Sequence, residues 1–151
     1  MPEPREPLPP LKLIGQVHRG FQRMADQLLR EQGFALGQLP VLMALKDGRP
    51  RSQAELARLA NVEQPSMAQL LARMERDGLV ERLPDPDDGR SRLISLTAAC
   101  RERMPRARGV MQALSAEALL GFSAEEVEAL GGLLSRLADS VDEMLERRLG
   151  D

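Results

Sequence analysis

The chain has 151 residues, of which 42% are hydrophobic and 29% charged, a balance that fits one domain of ordinary size and argues against disorder. Three Phe, no Trp and no Tyr exclude a single-strand binder that stacks bases on several exposed rings, and one Cys and one His exclude a zinc site, a disulfide framework or a Cys/His dyad close in sequence. The formal net charge of -2 counts against nucleic acid only as a whole-chain sum, which does not say where the charges sit.

The first ten residues, MPEPREPLPP, contain five Pro and no apolar h-region, so 1–10 reads as a Pro-rich arm and not as a signal peptide. No uninterrupted apolar run reaches the roughly 18 residues a membrane helix needs. The expectation is a cytoplasmic protein with no membrane partner, whose Cys100 is a reduced thiol. Charge is unevenly divided. Residues 1–48 carry six basic and five acidic groups, 49–110 twelve and nine, and 111–151 three and nine, for nets of +1, +3 and -6. A basic middle is masked by an acidic C-terminal segment.

Over 11–34, Ile14, Val17, Phe21, Met24 and Leu28 recur at alternating three- and four-residue steps, one apolar seam of a long helix. The next helix runs from about Leu36 to Lys46, with Pro40 tolerated near its first turn and Asp47-Gly48 ending it. Ser52 to Glu55 forms a capping box opening a short helix whose core residues are Leu56 and Leu59. Asn61-Val62 make a turn, and a helix follows from about Gln64 to Asp77, with Pro65 in its first turn and Gly78 as its stop. Leu79 to Leu83 and Arg92 to Leu96 read as strands, joined by a turn-rich loop with a basic tip. Thr97 is placed to cap the long helix that follows, in which Pro105 should produce a bend. Ser123 with Glu126 caps the last helix, with a staple between Phe122 and Val127. Its seam is Val127, Leu130, Leu134, Leu137, Val141 and Met144. Each seam could pack inside its own domain, but two of them flanking a compact basic unit favour a shared helical dimer interface.

Helix, turn, helix and hairpin together make a winged helix-turn-helix. In its second helix, Met67, Leu70, Leu71 and Met74 fall on one face and anchor it. The opposite side is Gln64, Pro65, Ser66, Gln69, Arg73 and Arg76. Short polar groups at a helix N-terminus can reach base edges in the major groove, a Gln amide matching adenine N6/N7, while arginines further along reach phosphates. Such a face is also what any solvated amphipathic helix presents; the adjoining hairpin favours the DNA reading. Its loop sets Arg90 and Arg92 beside Asp88, a carboxylate able to aim an arginine at a narrow A·T-rich minor groove. Ser52 would offer backbone N–H groups and a hydroxyl to a phosphate.

The stretch SQAELARLANVEQPSMAQLLARMERDGLVERLPDPDDGRSRLISLT closely resembles the winged-helix core of the multiple antibiotic resistance regulator (MarR) family, with GLVER followed by DPDD.R.....LT as recognition-helix exit and wing. The run VEQPSM is similar to the SlyA-like branch. The resemblance covers about residues 11 to 148. It implies a mainly α-helical homodimer with one wing per subunit, the first and the last two helices forming the dimer interface. It also implies repression, or sometimes activation, at pseudo-palindromic operators, often relieved by a phenolic or other small anion. By position, Asp88 and Arg90 match a wing pair in which the aspartate orients a minor-groove arginine; Gln64, Pro65 and Ser66 match the start of the recognition helix, and Arg73 a basic position near the DNA backbone. Gln69 stands where SlyA-like sequences usually carry an arginine, so their operator sequence does not carry over; Gly89 stands where a wing arginine is common, which leaves Arg90 with fewer basic neighbours.

Triggers are less well marked. Peroxide-sensing members place a reactive Cys in the first helix among tyrosines, which this chain lacks; Cys100 reads as a buried or half-buried thiol, with Arg101 and Arg103 nearby keeping a sensor role open. His18 could bind an anionic effector or be a surface residue of its helix. Any pocket would be lined mainly by Leu, Met and Val, with arginines for an anion, and the eight Met could lend it plasticity or simply fill the core. There is no phosphate-binding Gly loop, HExxH or Gly-x-Ser-x-Gly, so no enzyme and no cofactor are expected. Asp85, Asp87 and Asp88 invite a calcium loop, but Gly89, Arg90 and Leu96 stand where it needs an acid, a Gly and a Glu.

The expected architecture is mainly α with a small antiparallel β-hairpin wing: arm 1–10, N-terminal dimerisation helix 11–34, winged helix-turn-helix DNA-binding domain 35–97 and C-terminal dimerisation helices 98–151. The expected partners are double-stranded DNA, a second copy of the chain and a small anionic or phenolic effector. The alternative is a winged-helix adaptor that binds protein and not DNA.

Overall fold

A computed structural model of the chain describes residues 9–150; all but the last two residues of the Pro-rich arm lie outside it. Helix α1 (Pro10–Glu31) starts on Pro10, whose fixed φ and missing N–H suit a first helical position. It closes at Gly33, φ +81°, where the Phe34 N–H reaches back to the Leu29 carbonyl at 2.9 Å and the Gly33 N–H to Arg30 at 3.0 Å. This left-handed closure needs a residue without a Cβ penalty, and it brings the buried side chains of Phe34 and Leu29 together. The face that α1 buries is Ala25 and Leu29, while Ile14, Val17 and Met24 of the seam stay exposed.

The single helix expected over Leu36 to Lys46 is two pieces: a 3-10 turn at Leu36–Gln38, then α2 (Leu39–Leu45). Pro40 is the reason. It has no N–H to give to the Leu36 carbonyl, which the Leu39 N–H takes instead in the tighter i to i+3 pattern. Helix α3 (Gln53–Leu59) opens with the expected box: Ser52 Oγ accepts the Glu55 N–H at 3.1 Å, and the Glu55 carboxylate accepts the Ser52 N–H at 3.0 Å. Its buried residues are Leu56 and Ala57; Leu59, expected in the core, is 55% exposed. The inward face is centred on Leu56, Ala57 and Ala60, and Leu59 falls on its flank. Helix α4 (Gln64–Arg76) follows a turn at Asn61, φ +52°.

Strands β1 (Val80–Pro84) and β2 (Arg92–Leu96) pair antiparallel, Val80 opposite Leu96 and Pro84 opposite Arg92. Leu79 precedes the strand expected to include it, because its N–H closes α4 onto Met74. A bridge from Arg51 to Ile94 adds a third, one-residue rung. Thr97 joins three elements: its hydroxyl donates to the Gly78 carbonyl at 2.6 Å and accepts the Cys100 N–H at 3.1 Å, capping α5 (Ala98–Ala118), which runs through Pro105 without interruption. The core collects Val41, Leu45, Leu56, Met67, Leu71, Met74, Ile94 and Cys100.

The chain divides into two compact units, one up to Gln112 and one from Ala113. The division lies inside α5, whose Cys100 and Ala107 are part of the core that the winged helix builds. The second unit holds the end of α5 and α6 (Ala124–Leu149), opened by the Ser123 and Glu126 capping box; α6 buries none of its residues. Among the described residues, no helix is long and apolar enough to cross a membrane.

Candidate nucleic-acid interface

Helix α4 carries the polar face. Met67, Leu71 and Met74 are fully buried, and Leu70 packs half-buried against the core. That stripe fixes the rotation of the helix, so Gln64, Pro65, Ser66, Gln69, Arg73 and Arg76 are all exposed. Gln69, Arg73 and Arg76 line one open groove with Ala72 and Glu75. The N-terminus of α4 differs from those of α3 and α6: Glu63 precedes it without a side-chain cap, and Pro65 stands in its first turn. Its free N–H groups and the positive end of its dipole are open to an anion.

The two first-position amides of consecutive helices meet here. Gln53 Nε2 donates to Gln64 Oε1 at 3.1 Å, a link between residues eleven apart that no local pattern signals. Arg82 of β1 pairs with Glu75 of α4 at 3.0 Å, fastening wing to helix. Arg51 is a clamp: its backbone bridges Ile94, its Nε donates to the Ala44 carbonyl at 2.9 Å and its terminal nitrogen meets Asp47 at 3.0 Å. The Arg49 backbone N–H chiefly holds the Asp47 carboxyl below its ordinary range, with Arg51 adding to it.

Two expected contacts are arranged differently. Among the described residues Asp88 pairs with no arginine side chain; its Oδ1 accepts the Arg90 backbone N–H at 3.0 Å, as Asp85 accepts that of Asp87 at 2.9 Å. A short carboxylate two residues before an N–H closes an Asx turn more readily than it reaches along a flexible guanidinium stem. Among the described residues no ion pair engages Arg90 or Arg92; both are exposed, Arg90 at the loop tip and Arg92 at the strand end opposite Pro84. Ser52, expected to offer N–H and hydroxyl to phosphate, has both engaged in the capping box, and the carboxylate of Glu55 already occupies that helix end. The Ser52 N–H chiefly keeps the Glu55 carboxyl below its ordinary range.

Away from this surface, His18 lies exposed on α1. Cys100 is fully buried, and burial pushes its thiol up, with Arg103 and then Arg101 opposing; that environment disfavours the reactive thiolate. Arg103 is occupied over the Phe34 ring, 5.4 Å from its centroid. Among the described residues no group of three or more His, Cys, Asp or Glu side chains could hold a metal ion.

A family model described as MarR family matches residues 32–91. The chain is 27% identical to a cysteine-to-serine mutant of MarR from E. coli over 89% of this chain and 99% of that one, with a TM-score of 0.73. A crystal structure of that mutant complexed with operator DNA matches at 27% identity over 83% of this chain and 91% of that one, with a TM-score of 0.72. A probable transcriptional regulator from Pseudomonas aeruginosa is 31% identical over 82% of this chain and 96% of that one, with a TM-score of 0.65.

Proposed function

The chain belongs to the MarR family of winged-helix transcription regulators, and we propose that it acts in the cytoplasm as a homodimeric repressor at pseudo-palindromic duplex DNA. Helix α4 enters the major groove, Gln64, Ser66 and Gln69 meeting base edges and Arg73 and Arg76 the flanking phosphates, while Arg90 at the wing tip enters the minor groove. One observation carries the reading: an uncapped helix with a polar outer face is fastened by Glu75 and Arg82 to a hairpin whose tip arginine has no ion-pair partner among the described residues. The relative solved with operator DNA supports it. The dimer is supported by the exposed seams of α1 and α6, and the SlyA-like branch by the run VEQPSM. Release by a small anionic or phenolic compound, with His18 as a candidate contact, is supported by the family relation.

The test is selection of bound duplexes from a random pool, followed by titration against salt. The reading expects a palindrome with half-sites about 10 bp apart. Arg73→Ala and Arg90→Ala should each reduce the slope of log affinity against log salt by about one. A selected pool without a palindrome, bound equally by both variants, would leave the adaptor reading standing.

A further inference from the structure

We propose that Gln53, which lies on α3 and not on the helix that faces DNA, is a positioning residue for base choice: it fixes the Gln64 amide in the one presentation that reads adenine. The inference rests on the reading of α4 as the major-groove helix. A free Gln on a helix surface rotates about three side-chain bonds and shows its oxygen or its NH2 to a base with little bias. Here Gln53 Nε2 donates to Gln64 Oε1 at 3.1 Å, which decides which end of the Gln64 amide turns toward α3.

A carbonyl oxygen has two lone pairs. With one taken by Gln53, Gln64 Oε1 keeps one acceptor site, and its Nε2 keeps its hydrogens. The outer edge then offers one acceptor and one donor side by side, the pair that adenine N6 and N7 require and that guanine O6 and N7, both acceptors, do not. The bond also removes rotational freedom before DNA arrives, so less ordering entropy is lost on binding. Gln53 is itself only half-buried, and its second amide hydrogen remains available to a phosphate oxygen.

Both residues stand at the first helical position of their helices, so the geometry is set by the packing of α3 on α4 and not by the flexible side chains alone. Leu56, Ala57, Met67 and Leu71, all in one core, hold the two helix starts in place. A substitution at Gln53 therefore alters the amide link and leaves the helices where they are.

The experiment is a set of four proteins, the wild type, Gln53→Ala, Gln64→Ala and the double variant, each titrated with the selected operator and with its three single-base changes at the position where Gln64→Ala alters preference. Gln53→Ala should lower the preference for adenine at that position by about fivefold, and should do nothing further to base preference once Gln64 is Ala. A second variant, Gln53→Glu, keeps the chain length but can only accept a hydrogen bond. It should draw the Gln64 NH2 toward α3, exchange the places of the outward acceptor and donor, and so shift preference at that one position away from adenine. An unchanged preference in Gln53→Ala, or an equal drop with and without Gln64, overturns the inference while leaving the major-groove reading intact. If Gln64→Ala alters no position of the motif, the reading of α4 beneath it fails as well.

Discussion

Asp88 stabilises the wing through the backbone, and that changes what its substitution should do. Its Oδ1 accepts the Arg90 N–H at 3.0 Å, and its own carbonyl accepts the Ser91 N–H at 3.0 Å, so the loop is shaped by an Asx turn, and among the described residues no ion pair fixes the Arg90 side chain. An Asn at this position keeps the side-chain acceptor and removes a negative charge beside the DNA. Asp88→Asn should therefore bind the operator as tightly as wild type or tighter, whereas Asp88→Ala, which loses the turn's hydrogen bond, should bind about fivefold more weakly. Anisotropy titrations with one labelled duplex separate the two, and weak binding by both variants would restore the side-chain pairing. Gln69 offers a complementary test on the helix. It is exposed in the groove with Arg73 and Arg76, and an arginine pairs bidentately with guanine. Gln69→Arg should move the selected motif toward G at one position per half-site; an unchanged motif would remove Gln69 from the base contacts.

At the scale of elements, the helix starts divide by purpose. Helices α3 and α6 are each sealed by a Ser and Glu capping box, and α4 is left open. Ser52→Ala should cost about 1 kcal/mol in urea unfolding at neutral pH, with α4 unaffected. Because the Ser52 N–H lowers the folded-state Glu55 carboxyl, the stability Glu55 contributes is present above the ordinary carboxylate range near pH 4. It is lost as pH falls through the lowered value. The gap between wild type and Glu55→Ala, measured by urea unfolding, should narrow from pH 7 to pH 3; a constant gap would assign the effect to packing. These boxes were legible in the sequence because they are local, four residues long and made by fixed chemistry. So were the buried stripe of α4 and the hairpin, both periodic. The Gln53 to Gln64 bond, the Arg51 clamp and the Asx turn at Asp88 were not, since each depends on which segments the fold brings together and on where a side chain points. Leu59 illustrates the limit: its spacing from Leu56 fits a core face, but the inward face of that helix is centred on Leu56, Ala57 and Ala60, which leaves Leu59 on the outside.

For the whole molecule, the decisive quantity is exposed apolar surface. Helix α6 spans 26 residues and buries none of them; Leu130, Leu134, Val141 and Met144 remain 41 to 45% exposed along one seam. An isolated helix of this kind gains little from intrinsic propensity, and most helical stability in proteins comes from packing an apolar face. Covering a large apolar side chain fully is worth about 1.5 to 3 kcal/mol, so four half-covered positions on each copy supply several kcal/mol toward the proposed dimer. A charge placed in that seam would have to be desolvated without a partner. Leu134→Glu should accordingly convert the dimer to monomers in sedimentation velocity at micromolar concentration, whereas Met43→Glu, at a more exposed position on α2, should leave the assembly unchanged. The consequence for DNA follows from geometry. A dimer grips two half-sites at once, so the second contact is made at high effective concentration; a monomer makes one set of phosphate contacts and should show about half the salt slope of the wild type on the same operator. If Leu134→Glu stays dimeric, the seam is not the interface. If it becomes monomeric yet keeps the full salt slope, one subunit suffices for the DNA contacts and the palindromic reading fails.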